Sequence, residues 1–222
     1  MKQTPKTNYQ LMLDKTLENI TAKDLTPSLL LHSCCAPCSS YVLEYLTKYF
    51  DITIFYYNPN ISPESEYRRR VSEQKRLISE MCPQVKFLEG HYEPERFYEI
   101  AKGLECEPER GERCLKCYRL RLEESAKTAK TYNFDFFTTT LSISPQKDSA
   151  VLNSVGADVS EQFDIPYLYS DFKKRGGYKR SIELSAEYKL YRQNFCGCIF
   201  SKAEAQKREQ QRTLLTYKST SE

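Results

Sequence analysis

The sequence predicts a single α/β domain, in which a mostly parallel sheet is flanked by helices and followed by C-terminal helices. Short apolar runs alternate with longer amphipathic runs along most of the chain, which is the pattern of strands connected by helices. A length of 222 residues suits one sizeable core. The composition, 40% hydrophobic and 28% charged, is that of an ordinary globular protein.

The elements of the N-terminal half alternate regularly. Apolar residues recur in a helix over residues 9–20, and the continuous run SLLLHS predicts a buried strand over 28–33. A helix over 39–49 leads to a second strand, DITIFYY, over 51–57. A helix over 66–81 places Val71, Leu77 and Ile78 on one face. A short strand over 84–89 and a helix opened by Pro94 complete this half.

The C-terminal half continues the alternation. Residues 114–132 are rich in strong helix formers, and the next predicted elements are a strand over 134–141, a helix over 148–155 and a strand over 165–169. Two further helices are predicted over 181–191 and 202–215. The expected organisation is an N-terminal helical extension (1–27), a catalytic domain (28–200) and a C-terminal helix and tail (201–222).

The loops at the carboxyl ends of the strands are where such sheets bind ligands. These loops span residues 34–38, 58–63, 90–93, 138–148 and 171–177. They are polar, punctuated by proline and irregular, which is typical of functional loops.

Nine cysteines are the most informative feature of the composition. In a chain without a secretory signal, clustered cysteines indicate metal ligands or redox groups more often than structural disulfides. Seven fall into three groups, CCAPC, CLKC and CGC. Cys82 and Cys106 stand alone, and a buried packing role suits them better than catalysis.

The first group places Cys34, Cys35 and Cys38 between a strand and a helix. A helix N-terminus favours thiolates, which are the ligands that iron requires. Cys35 and Cys38 also have the spacing of a thioredoxin-like redox pair. The motif alone leaves both interpretations open.

The second group, Cys114 and Cys117, has the i, i+3 spacing that points two helical side chains the same way. Together with Cys34 and Cys35 it would supply the four thiolates of a 4Fe–4S cluster. A four-cysteine zinc site is the alternative. Zinc is disfavoured because a chain with its own core has little need of a metal staple, and because adjacent cysteines suit two irons of a cluster better than one ion.

The third group, Cys196 and Cys198, has a single residue between its cysteines. A disulfide across this spacing closes a small, strained ring that is easily reduced and suits redox work. Two further metal ligands are the alternative that the spacing leaves open.

Basic residues interleave with tyrosines, a mixture that suits phosphate pairing and stacking on single-stranded RNA. The net charge of +3 is uninformative, so the local clusters matter. The loop Lys173, Lys174 and Arg175 follows a strand at the functional edge and is the stronger candidate for RNA contact. Arg68, Arg69 and Arg70 form the second candidate.

A membrane partner is not expected. No run approaches the ~18 consecutive apolar residues of a membrane helix. The first ten residues are polar, without the apolar segment of a secretory signal. The expected location is the cytoplasm.

Five motifs in order give the sequence a family resemblance. They are residues 32–38 (HSCCAPC), 57–61 (YNPNI) with 66–70 (EYRRR), 113–118 (RCLKCY), 137–145 (FTTTLSISP) and 191–198 (YRQNFCGC). Over about residues 28 to 200 the chain resembles the QueH-type epoxyqueuosine reductases. The resemblance implies a HUP-like α/β fold and reduction of epoxyqueuosine to queuosine in the anticodon loop of tRNA.

The resemblance also implies residue roles. Cys34, Cys35, Cys114 and Cys117 would hold a 4Fe–4S cluster, and Cys196 with Cys198 would form a redox-active disulfide. Family members can place an additional mononuclear iron beside the cluster, using an aspartate where this chain has Cys38. Cys38 is therefore expected to be a ligand of a second iron or a redox thiol. The electron donor that the reaction needs is not identified by the sequence.

Overall fold

A four-stranded parallel sheet lies at the centre of the protein, and the predicted α/β class is confirmed. The computed structural model describes residues 7–219, with side chains through residue 212. The strands are β1 (Ser28–His32), β2 (Asp51–Tyr56), β3 (Lys86–Glu89) and β4 (Phe136–Thr139). Their spatial order is β3-β2-β1-β4, so β1 is hydrogen-bonded on both sides. Parallel strands put the loops after β1, β2 and β4 at the same edge.

Helices cover both faces of the sheet. They are α1 (Tyr9–Ala22), α2 (Ala36–Leu46), α3 (Glu64–Met81), α4 (Pro94–Ala101), α5 (Glu112–Thr131), α6 (Ser149–Phe163), α7 (Gly177–Glu187) and α8 (Ile199–Ser219), with 3-10 turns at Thr140–Ile143 and Lys174–Gly176. The strand period of two explains the layers. Leu29 and Leu31 of β1 pack with α1 and α2, whereas Leu30 packs with α5 and α6.

The predicted fifth strand, over residues 165–169, is wrong. Among the described residues this segment makes one isolated parallel bridge, between Phe137 and Tyr167. The Phe137 N–H donates to the carbonyl of Pro166 at 3.0 Å, and its own carbonyl accepts from Leu168 at 2.9 Å. Proline has no N–H to extend the ladder, which explains why the segment does not become a full strand.

Most helices differ from their predicted bounds, and α6 differs most. α7, predicted over 181–191, spans Gly177–Glu187. α6 runs through Gly156 to Phe163 rather than ending at Val155. A Cβ on Gly156 would lie 2.4 Å from the Tyr167 ring, so the glycine allows close packing on the segment after β4. α2 starts at Ala36, three residues before its predicted start, because Pro37 fits the first turn of a helix.

The N-terminal helix belongs to the same core as the sheet. Leu13, Leu17 and Ile20 of α1 are buried against β1, β2 and α2. Residues 1–6 of the predicted extension and residues 220–222 of the predicted tail lie outside the described residues. The boundaries at residues 27 and 200 stay predictions.

Candidate metal and redox centre

The turn after β1 brings three thiols together. β1 ends at His32, Cys35 is the N-cap of α2, and Cys38 lies in the first turn of that helix. The sulfurs of Cys34, Cys35 and Cys38 all lie within 4.8 Å of one another, and those of Cys34 and Cys35 are 3.8 Å apart. Cys34 and Cys35 are buried. Three thiols at this separation could hold a metal.

The three thiols differ in their pKa values. Hydrogen bonds from the thiols of Cys34 and Cys38 lower the pKa of Cys35 well below its usual range. The same contacts raise the pKa of Cys38. The hydrogen bonds from its neighbours therefore favour the thiolate form of Cys35.

Of the two cysteines of α5, Cys114 adjoins this group and Cys117 packs with Cys198. Cys114 accepts a hydrogen bond from the backbone N–H of Arg110 at 3.3 Å and packs against the side chains around Cys34 and Cys35. Cys117, one helical turn later, is buried, and burial raises its pKa to about 12. In the described part of the chain, neither belongs to the group of thiols within 4.8 Å. The four-ligand set of Cys34, Cys35, Cys114 and Cys117 stays a prediction.

The segment Cys196–Gly197–Cys198 is fastened to α3 and to the loop after β2. Arg70 Nη1 donates to the carbonyl of Cys196 at 3.0 Å, and the Ser62 N–H donates to the carbonyl of Gly197 at 3.0 Å. Gly197 has φ +131°, and a Cβ there would lie 2.9 Å from Ile61 Cγ1. A side chain is therefore excluded on both conformational and steric grounds.

Both thiols of this segment are free and have polar neighbours. Lys147 Nζ lies 3.4 Å from Cys196 Sγ. Cys198 Sγ accepts from the backbone N–H of Ser201 at 3.4 Å. The predicted redox role of this pair stays a prediction, and the contacts identify Lys147 as a neighbour that the sequence did not.

A cavity of about 210 Å³ connects the first and third cysteine groups. Its lining contains Cys34, Cys35 and Cys38 together with Cys196 and Lys147. Its remaining polar and aromatic lining includes Gln146, Tyr178, Arg192, Gln193, Asn194, Phe195 and Arg208. A smaller cavity of about 20 Å³ is lined by Cys114, Cys117, Cys196 and Cys198. Because Cys196 lines both cavities, it joins the cysteines of the three groups into one region.

His32 positions the turn after β1 and is not a free ligand. Nδ1 is 2.9 Å from the Thr139 hydroxyl, and Nε2 is 3.1 Å from the carbonyl of Tyr57. Burial lowers the pKa of His32 to about 4, so the ring is neutral at physiological pH. The ring therefore ties β1 to both neighbouring strands at the site edge.

In the predicted RNA-contact loop, one basic side chain makes internal hydrogen bonds and the other two are exposed. Lys173 Nζ donates to the carbonyls of Ser142 at 2.7 Å and of Lys147 at 3.2 Å, so this ammonium supports the loop beside the cavity. Lys174 is exposed. Arg175 is also exposed and forms an ion pair with Asp14 of α1.

The three arginines of α3 differ in the same way, and Arg70 is not a surface residue as predicted. It is 1% exposed and its guanidinium binds Glu66 at 2.7 Å, which excludes contact with a macromolecule at the surface. Arg68 is exposed and pairs with Glu64 and Glu89. Arg69 lies over the Tyr191 ring, 3.5 Å from its centroid.

The comparisons with known proteins identify the family of the chain. Residues 29–204 match the family model described as epoxyqueuosine reductase QueH. The chain belongs to this family. The resemblance seen in the sequence motifs is therefore confirmed, and the match includes all three cysteine groups.

Individual QueH relatives match over most of both chains. The chain is 44% identical over 202 residues to the epoxyqueuosine reductase QueH of Staphylococcus epidermidis, covering 88% of this chain and 85% of that protein. It is 42% identical over 205 residues to that of Streptococcus pyogenes, covering 90% and 80%. The Thermotoga maritima protein is 33% identical over 183 residues, covering 80% and 91%.

The sequence predicts that the protein has no membrane-spanning helix. Within residues 7–219, none of the helices combines the length and the apolar character needed to cross a bilayer.

Proposed function

We propose that this protein is an epoxyqueuosine reductase, which converts the epoxide of epoxyqueuosine in tRNA to the alkene of queuosine. The observation that carries the proposal is the family match over residues 29–204, which includes every cysteine that lines the two cavities. The substrate is a tRNA with the modified base in its anticodon loop, and the expected site of the reaction is the cytoplasm.

The reaction balances with a dithiol in the site. Conversion of an epoxide to an alkene and water consumes two electrons and two protons. Oxidation of the Cys196 and Cys198 thiols to a disulfide releases two electrons and two protons. The pair would then be reduced again by cellular thiols or by a dedicated donor, for which a strained small ring is suited. Lys147, within hydrogen-bonding distance of Cys196, would hold that sulfur toward the cavity.

The cysteines and their surroundings fit an anionic metal centre. Cys34, Cys35 and Cys114 pack in one group, and Cys117 follows one turn after Cys114. These four would hold a 4Fe–4S cluster, which when bound supplies one-electron transfer. The fit is supported by buried Arg121, whose Nη2 has no hydrogen-bond partner beside these thiols.

Cys38 offers a further ligand position. Its sulfur lies in the 4.8 Å group with Cys34 and Cys35, and it is partly exposed toward the larger cavity. A thiolate here could serve an additional mononuclear iron, as the family's aspartate does, or act as a redox thiol. Iron content above that of one cluster, lost in Cys38→Ala, would distinguish the first role from the second.

The tRNA would approach over the exposed cations near the larger cavity. Lys174 and Arg175 lie on the loop that Lys173 braces beside Lys147, and we propose this loop as an RNA-contact surface. Arg68 and Arg69 of α3 are the second proposed contact. Arg192 and Phe195 line the cavity and suit phosphate pairing and base stacking.

The test combines metal analysis with turnover. Anaerobically purified protein should show the broad visible absorption of iron–sulfur charge transfer and, with a reductant, should convert epoxyqueuosine in tRNA to queuosine by nucleoside mass spectrometry. Cys114→Ala should lose iron, sulfide and turnover.

Cys82→Ala is the matched control, because Cys82 is buried in the core against α1, α2 and β2 rather than at the site. It should keep both cofactor and turnover. Zinc in place of iron, or turnover that survives metal removal, would instead favour a zinc module or a thioredoxin-like use of Cys35 and Cys38.

A further inference from the structure

Two buried cations lie among the thiols of the site. Arg121 of α5 is 1% exposed, and Lys147, in the loop before α6, is 7% exposed. Buried arginine and lysine side chains are normally paired with carboxylates, because removing an unpaired charge from water is costly. In the described part of the chain, the two cations lie beside cysteines instead. The negative charge that balances them therefore needs an explanation.

Arg121 has an unused hydrogen-bond donor beside four cysteines. Its Nε donates to the carbonyl of Cys117 at 3.2 Å, whereas its buried Nη2 has no hydrogen-bond partner. The guanidinium lines the small cavity together with Cys114, Cys117, Cys196 and Cys198. A buried donor without an acceptor needs an explanation, such as a bound ion or a redox role.

Lys147 contacts the same cysteines through Cys196. Its Nζ lies 3.4 Å from Cys196 Sγ, and the side chain lines the larger cavity with Cys34. The hydrogen-bond partner of the Lys147 side chain is therefore a sulfur rather than a carboxylate.

Carboxylates do not supply the missing negative charge. Glu109 is the acidic residue in the lining of both cavities, and its Oε2 is paired with Arg208 Nη1 at 3.6 Å. Arg113, a third buried cation beside that cavity, is oriented by the carbonyls of Leu104 and Glu105 and lies 3.5 Å from Glu204. Arg121 and Lys147 are thus left to balance an anion other than a side-chain carboxylate.

We propose that Arg121 and Lys147 are positioning residues that balance the negative charge of the metal centre and keep its reduction potential high. The inference rests on the proposed function, because the centre is the cluster assigned there. Four thiolate ligands leave an iron–sulfur cluster negatively charged, and reduction adds one electron to it. Fixed cations in a low-dielectric site stabilise the more negative, reduced form, so removing one should make reduction harder.

The test measures the midpoint potential of the cluster in Arg121→Gln and Lys147→Gln, by anaerobic redox titration followed by electron paramagnetic resonance. Each substitution should lower the equilibrium constant for reduction about tenfold, which for one electron is a shift of about 59 mV to more negative potential. Arg121→Lys and Lys147→Arg keep the charge and should recover most of the shift.

Arg119→Gln is the matched control. Arg119 lies on the same helix but is 43% exposed and pairs with Glu123 and Asp158 at the surface. Its charge is screened by water and already balanced, so the potential should equal that of the parent protein.

The outcomes separate this inference from the proposed function. A parent protein without an iron–sulfur cluster overturns both. Parent-like potentials in both glutamine variants overturn charge balance alone. If the glutamine variants lose the cluster, its retention in Arg121→Lys and Lys147→Arg supports the inference, because charge is what they preserve. Loss of the cluster in those variants too would assign the two residues to packing and overturn it.

Discussion

Two arginines of α3 each pair with a glutamate one turn earlier, and only one of these pairs is buried. The side chains of Arg70 and Glu66 are 1% and 12% exposed, with an N–O distance of 2.7 Å. Those of Arg68 and Glu64 are 57% and 59% exposed, at 3.1 Å. Both pairs lie on one helix with the same spacing, while Arg68 also binds Glu89 at 3.0 Å and Arg70 also donates to the carbonyl of Cys196 at 3.0 Å. Replacing each arginine by methionine therefore compares a buried arginine with an exposed one.

Arg70→Met should destabilise the protein far more than Arg68→Met. It leaves the Glu66 carboxylate with the Tyr191 hydroxyl, at 3.1 Å, and removes the donor to the carbonyl of Cys196. Removing one partner of a buried pair costs about 3–5 kcal/mol. Loss of an exposed pair costs about 0.2–1 kcal/mol. We expect a difference of about 3 kcal/mol in the free energy of unfolding.

Anaerobic urea denaturation, followed by far-ultraviolet circular dichroism, gives the two free energies under identical conditions. Alkylation of Cys196, followed by peptide mass spectrometry, should also be faster in Arg70→Met, because the segment loses one of its two anchors. Equal free energies of unfolding for the two variants would refute the structural role given to Arg70.

Two further predictions concern turnover and RNA binding. Replacing Cys196 and Cys198 by serine should leave the iron content near normal in metal analysis and should abolish conversion of epoxyqueuosine in nucleoside mass spectrometry. Full activity, or loss of the cluster, would show that the pair has another role. Replacing Lys174 and Arg175 by alanine should weaken tRNA binding in filter-binding assays several-fold at moderate salt and reduce its salt dependence, because fewer phosphates are contacted. Unchanged affinity would make this loop an ordinary solvated surface.

The regular part of the fold was predictable because periodicity and breakers act locally. Apolar patterning predicts β1 and β2 and the helices next to them, α1, α2 and α3. The error at residues 165–169 has a local cause that could have been weighed, since Pro166 lacks an N–H. The length of α6 was not predictable, because Gly156 reads as a helix breaker until the Tyr167 ring is seen packed against it.

The sequence predicts each cysteine group of the site but not how the groups come together. Spacing placed Cys34, Cys35 and Cys38 in one turn, but no local pattern shows that Cys196 lines both cavities. The interior role of Arg70 had a signal that was missed. It lies three residues after buried Tyr67 and next to Val71, on the apolar face of α3 rather than its basic face.

The anchoring of the Cys196–Cys198 segment also bears on the order in which the three cysteine groups come together during synthesis. The hydrogen bond from Arg70 to the carbonyl of Cys196 joins residues 126 positions apart, and contacts of such separation form late in folding. A chain still emerging from the ribosome therefore presents its first two cysteine groups before the third can close over them. Metal delivered at that stage would meet the first two cysteine groups alone, whereas metal delivered to the finished protein would meet all three.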